Sequence, residues 1–211
     1  MLIARNGCDR RVIVIVNYQE NNVSDLVKVL KRLGCQVDIS NQADVIAASQ
    51  CLILPDGTNY QGAMAKLKEM GLSSVIKAHV EAGKPLLGIG LGMHLLFEGT
   101  TVDGFTSGLD LLEGLSENLP EDQEFPLPHR GASKLIGVQE ANPLTAELDG
   151  QLVIYNHLLT VDCELDQIKA LSQYSVKFPA IIQEKALVGF QFLPELSQGG
   201  EQALSNFIKE L

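Results

Sequence analysis

Residues 85–93 read Pro-Leu-Leu-Gly-Ile-Gly-Leu-Gly-Met, and this stretch decides the fold. An apolar run from Pro85 to Ile89 leads into a G-x-x-x-G turn between Gly88 and Gly92, and apolar Leu91, Leu95 and Leu96 follow at helical spacing. A buried strand that turns sharply into a helix is the layout of a nucleophile elbow, whose strained turn lifts one side chain above the end of a sheet. The lifted position is 90. An elbow that serves as a nucleophile carries Cys or Ser there, whereas this chain carries Gly90, which has no side chain.

Working outward, strand and helix patterns alternate through the first half. Residues 12–16 form a continuous β-branched run, as expected of a strand buried on both faces. Asn22 is the expected N-cap of a helix with Val23, Leu26, Val27, Leu30 and Leu33 on one face, and Gly34 its stop. Val37 and Ile39 mark a second strand and residues 51–54 a third. Helical patterns over 63–70 and 73–82 precede the elbow strand. This βαβαβ order predicts an α/β fold with a parallel sheet and helices on both faces.

The second half changes character. Residues 100–133 read as loop-rich, and the acidic run from Glu117 to Glu124 as a solvated loop. Strand-like segments at 135–138, 152–155, 158–161, 180–183 and 188–192 suggest antiparallel additions to the parallel core. A closing helix is expected over 200–210, with Ala203, Leu204, Phe207 and Ile208 on one side. No repeat or long linker divides the chain, so residues 1–211 are expected to form one domain.

The composition is that of a soluble globular protein, 45% apolar and 20% charged. A net charge of −10 argues against nucleic acid or an anionic membrane as partner, since both need a positive surface. No apolar run approaches the roughly 20 residues of a membrane span. The start, MLIARNGCDRR, places charges where a signal peptide needs its apolar region, so a cytoplasmic location is expected. Cys8, Cys35, Cys51 and Cys163 are widely spaced, which reads as unpaired thiols, with no metal site and no cofactor.

These residues together resemble the class I (triad) glutamine amidotransferases and, more narrowly, the glutaminase subunits of imidazole glycerol phosphate synthase, from histidine biosynthesis. The likeness runs through Gly83-Lys84-Pro85-Leu86-Leu87-Gly88-Ile89-Gly90-Leu91-Gly92-Met93 and Leu95-Leu96-Phe97-Glu98. It continues through Leu127-Pro128-His129-Arg130-Gly131, Gly189-Phe190-Gln191-Phe192-Leu193-Pro194-Glu195, Ser197-Gln198 and Leu204-Ser205-Asn206-Phe207-Ile208. The resemblance implies a flavodoxin-like, mixed but mainly parallel sheet. It also implies glutamine hydrolysis by a Cys-His-Glu triad, in which the Cys attacks the side-chain amide, the His acts as base and the Glu orients the His.

Carried over by position, the triad falls on Gly90, Leu193 and Glu195. The two members that do the chemistry are absent, because glycine is no nucleophile and leucine moves no proton. The oxyanion loop, usually P-G-V-G, reads Pro55-Asp56-Gly57-Thr58, and an aspartate there opposes the charge it should stabilise. His94 stands where the family has glutamine, and the Y-G-x-G-N turn reads Tyr18-Gln19-Glu20-Asn21-Asn22. His157 aligns with a family histidine, but Leu158 and Leu159 replace Ser and Tyr. Pro128-His129-Arg130-Gly131-Ala132 lacks the tryptophan of the partner-facing segment.

The substrate-pocket candidates are therefore Asp56, Gly57, Thr58, Gly88, Leu91, His94, Glu98 and His157. The partner-face candidates are Asn21, Asn22, His129 and Arg130. The blander readings stand beside these: Glu195 as a solvated or capping carboxylate, His94 as a partly buried histidine with a backbone partner, Cys51 as a small core residue. The resulting expectation is a catalytically inactive relative acting as a docking, regulatory or structural module. Its partner would be a (β/α)8-barrel synthase subunit, or a second copy of itself. The alternative is an active amidotransferase, another hydrolase or a ligand-binding protein that uses different residues of the same cleft.

Overall fold

The computed structural model describes residues 12–18, 22–121, 123–139 and 141–211. A seven-stranded sheet runs through its centre. Its parallel part is built from β1 (Val12–Val16), β2 (Gln36–Ser40), β3 (Cys51–Leu54), β4 (Leu86–Ile89) and β13 (Leu187–Phe190). Two further strands, β11 (Ile168–Gln173) and β12 (Lys177–Glu184), extend it antiparallel beyond β13. The sheet is thus mixed and mainly parallel.

Period-two alternation sorts the strand side chains between two cores. Ile13, Ile15, Ile53, Leu87 and Ile89 join one cluster, which α1 (Ser24–Arg32) and α6 (Gln198–Lys209) cover with Leu26, Leu30, Leu204 and Phe207. Val14, Val16, Leu52, Leu54 and Leu86 join the other, beneath α2 (Ala43–Ala48), α3 (Tyr60–Glu69) and α4 (Leu72–Glu81). Both faces of the sheet are covered, which is why its central strands read as continuous apolar runs.

Several boundaries differ from the sequence reading. Helix α1 starts at Ser24; Asn22 still helps, accepting hydrogen bonds from the Ser24 N–H and hydroxyl. The elbow helix α5 (Leu91–His94) is a single turn, and Leu95 and Leu96 lie in the turn that leads into β5 (Phe97–Thr100). The loop-rich stretch holds β6 (Thr106–Ser107), β7 (Leu112–Asn118) and β8 (His129–Lys134), so the acidic run begins on a strand at Glu117. A smaller sheet orders β10 (Leu159–Cys163), β7, β5 and β6, while β8 pairs with β9 (Leu152–His157). Residues 135–138 are not a strand: Ile136 makes one isolated bridge to Leu171 on β11, which the sequence reading missed. Short polar-rich edge strands carry little periodicity, so pairing partners rather than local pattern decide them.

Gly92 shows why the elbow tolerates no bulk. A Cβ there would stand 2.1 Å from the Leu54 carbonyl oxygen and 2.9 Å from that of Pro55. Both obstacles are backbone. Gly92→Ala is therefore expected to destabilise the protein by about 3 kcal/mol or more, since the strand must move to admit the methyl. A urea midpoint within error of the parent would contradict this packing.

Candidate functional site

The carboxyl ends of β1, β3, β4 and β13 converge at one end of the sheet, where open α/β sheets bind their ligands. Gly90 caps β4 with φ 52° and ψ −118°, a left-handed backbone that favours glycine. Its N–H donates to the Phe190 carbonyl at 2.7 Å, and its carbonyl accepts from the Met93 N–H. The elbow therefore lies where the sequence placed it. Leu193 follows β13 and donates its N–H to Ile154 O at 2.9 Å.

Position 56 changes the picture of this turn. Asp56 Oδ1 accepts the Leu91 N–H at 2.8 Å, and the Gly57 N–H also bonds to the carboxylate. Burial pushes the Asp56 carboxyl above the usual range, while those two N–H donors pull it down. Tyr18, at the end of β1, holds the same loop by donating its hydroxyl to the Pro55 carbonyl.

Two neighbouring cavities share Asp56, Gly57 and Thr58. The smaller, about 270 Å³, is also lined by Asn22, Leu193 and Glu195. Glu195, expected as a solvated or capping carboxylate, is half-buried, and its carboxylate accepts its own N–H in the first turn of the 3-10 helix Pro194–Leu196. Its Oε2 is buried without a hydrogen-bond partner, and burial, aided by the charges of Asp56 and Asp25, raises its pKa. The larger cavity, about 380 Å³, gathers Leu91, His94, Asn118, Arg130, His157 and Gln191 around the other side of the loop.

His94 is wholly buried and bonds to side chains rather than to the backbone. Its Nδ1 lies 2.8 Å from Ser116 Oγ and its Nε2 2.7 Å from Gln191 Oε1. Because the amide oxygen only accepts, Nε2 carries the proton and Nδ1 accepts from the Ser116 hydroxyl. Burial lowers the His94 pKa to about 4, so the ring is neutral at pH 7. Gln191 Nε2 remains buried without a partner. Neither Ser116 nor Gln191 was singled out in sequence; the only cue to Gln191 was its place in the Gly189–Glu195 stretch.

His129 is a correction. It is buried rather than displayed to a partner, and it stacks on Tyr174 and Tyr155 at centroid distances of 4.1 and 4.8 Å. Its hydrogen bonds form a chain with one consistent proton order. His157 Nδ1 donates to Leu159 O at 2.7 Å, which leaves His157 Nε2 to accept from His129 Nδ1 at 3.0 Å. His129 Nε2 then accepts from the Ser133 hydroxyl at 3.1 Å. Burial lowers His129 to about 4 and His157 to about 3, so both are neutral.

Two pocket candidates lie outside the cleft. Glu98 is exposed on β5 and accepts the Gly114 N–H at 3.0 Å. Gly88 is a packing position, where a Cβ would meet Gly92 O at 2.5 Å. Of the partner-face candidates, Asn22 and Arg130 are exposed, and Asn21 lies outside the described residues. Cys35 and Cys51 are buried and Cys163 is partly buried, and these three form no disulfide; Cys8 also lies outside the described residues. Among the described residues no His, Cys, Asp and Glu grouping fits a metal ion, and no helix is long and apolar enough to cross a membrane.

This chain belongs to the class-I glutamine amidotransferase family, whose model matches residues 14–211. It is 40% identical over 197 residues to the imidazole glycerol phosphate synthase subunit HisH of Listeria monocytogenes serovar 1/2a, covering 93% of this chain and 94% of that protein. The protein of the same name from Streptococcus gordonii is 36% identical over 186 residues, 88% of this chain and 89% of that one. Among solved structures, a glutamine amidotransferase superposes with a TM-score of 0.72 at 16% identity, covering 93% and 97% of the two chains. Another glutamine amidotransferase, from Thermotoga maritima, superposes at 0.63 and 13% identity, covering 94% and 81%. At these identities the structural likenesses speak for the fold.

Proposed function

We propose that this chain is a glutaminase-type subunit of the imidazole glycerol phosphate synthase kind that has kept its fold and lost thiolate chemistry. It acts as a single cytoplasmic domain that docks on a (β/α)8-barrel synthase subunit. One observation carries the loss. The elbow residue Gly90 has no side chain, and the space a side chain would fill holds the Asp56 carboxylate. The family triad, carried onto Gly90, Leu193 and Glu195, then keeps only its orienting carboxylate, with no imidazole to orient. Support for docking comes from identity spread over 93% of the chain with proteins named as synthase subunits, and from exposed Asn22 and Arg130.

The test is a glutaminase assay of the purified chain, alone and with a barrel subunit. Ammonia release is expected to stay at background in both. Turnover near one per second, an ordinary enzyme rate, would sink the reading. Co-elution with the barrel subunit is the expected sign of docking, and separate elution at micromolar concentration would remove it.

A second reading, ligand binding without glutamine hydrolysis, draws on the unpartnered Gln191 Nε2 beside the larger cavity. A small ligand presenting a hydrogen-bond acceptor would satisfy that donor.

A further inference from the structure

The empty place at position 90 and the acid at position 56 are physically linked. A Cβ built on Gly90 would lie 2.2 Å from Asp56 Oδ1 and 2.6 Å from the carboxyl carbon. Real Cβ atoms essentially never sit so close to an oxygen, so any side chain at 90 requires the Asp56 carboxylate to shift. Asp56 is meanwhile held in place. Its Oδ1 accepts the Leu91 N–H at 2.8 Å, and the Gly57 N–H bonds to the same group. The Leu91 amide is the one that follows the elbow position, which in elbow enzymes faces the developing oxyanion. Here an acceptor belonging to the chain already takes it.

We propose that Asp56 is a tethered carboxylate that fills the elbow from inside, so that Gly90 and Asp56 form one mutually dependent lock on the site. The idea rests on the proposed reading of the cleft as a former glutaminase site and adds how that site is held closed. While Asp56 stays, no external carbonyl oxygen reaches the Leu91 N–H. Restoring a side chain at 90 without removing Asp56 sets a carboxylate against it. Tyr18 reinforces the lock by holding the loop at Pro55, and the acid is half-buried and held by two backbone N–H groups, so the contact is not a loose surface pair.

The test is a stability cycle over four proteins: the parent, Gly90→Ala, Asp56→Gly and the double variant, each unfolded in urea. Gly90→Ala carries two penalties in the parent, the left-handed backbone and the collision, and only the first when Asp56 is gone. Its effect on the unfolding constant is expected to be at least about 30-fold larger with Asp56 present than absent, a coupling typical of residues in contact. Equal effects in both backgrounds, within about twofold, overturn the lock. Should Gly90→Ala fail to fold, amide hydrogen exchange at Leu91 decides instead. Exchange is expected to be at least about 100-fold faster in Asp56→Gly than in the parent if the carboxylate holds that N–H; unchanged exchange overturns the proposal. Neither readout involves glutamine. Failure here leaves the proposed function standing, and glutamine turnover by the parent would fell that function without touching the cycle.

Discussion

Gly90→Cys combined with Leu193→His is expected to remain almost inert towards a glutamine-mimicking electrophile, and adding Asp56→Gly is expected to speed adduct formation by about 100-fold or more. The sequence alone points to the double variant, because triad members act as a unit and Glu195 is still present to orient a new imidazole. The geometry shows why two changes are too few. The new Cβ collides with Asp56, whose carboxylate would also push the thiol pKa up and hold the Leu91 N–H. Freeing one oxyanion donor is worth about 10²–10³ in rate in enzymes that use one, which sets the expected gain. Adduct mass and rate for the single, double and triple variants make the measurement. A double variant that reacts as fast as the triple would show that Asp56 does not obstruct the elbow. A triple that reacts no faster than Gly90→Cys alone would show that position 193 does not serve it.

The second large effect is acid instability. All four histidines, His79, His94, His129 and His157, are buried, and burial lowers the pKa of each, to about 4 for His94 and His129 and about 3 for His157. Released into water, each would titrate near 6.5. Between those values the unfolded chain binds more protons than the folded one, so stability rises with pH there. The contribution is complete above about pH 6.5 and is lost as pH falls towards 4. For His94 alone the difference amounts to about 3 kcal/mol, a sizeable part of an ordinary folding free energy. Asp56 and Glu195, raised by burial, act in the opposite sense, gaining stability as they protonate. Two such carboxyls stand against four imidazoles, and the imidazoles set the sign of the profile. The hydrogen-bond chain adds a structural reason: a proton on His157 Nε2 would face the N–H of His129. The urea midpoint is expected to fall steeply from pH 7 to 5, and less steeply in His94→Gln. A flat profile would mean that the imidazoles are solvated in the folded state.

How much of this was readable beforehand depends on the range of the interaction. The apolar runs at 12–16, 51–54 and 86–89 and the three glycines of the elbow settle the parallel core and its sharp turn. Each is a local pattern: continuous apolar residues fill a doubly covered sheet, and only glycine admits backbone as close as Leu54 O comes to Gly92. The ordered family likeness was legible for the same reason, since it lies in contiguous stretches. The strands β8 and β11 were not, because β8 finds its partner β9 only across residues 135–151, and β11, although it forms a hairpin with β12, carries a bulge that breaks its alternation.

Sequence by itself also determined that Gly90 and Leu193 can neither attack nor move a proton, which is a property of the residues and needs no fold. Only the tertiary structure decided what stands in their place. It carried Asp56, 34 positions before Gly90 in the chain, onto the Leu91 N–H, left Glu195 Oε2 buried without a hydrogen-bond partner, turned His129 inward against Tyr174, and left Glu98 on the surface. These outcomes follow from which side chains the packed loops leave room for, a balance of desolvation against hydrogen bonding between distant segments that no local pattern records.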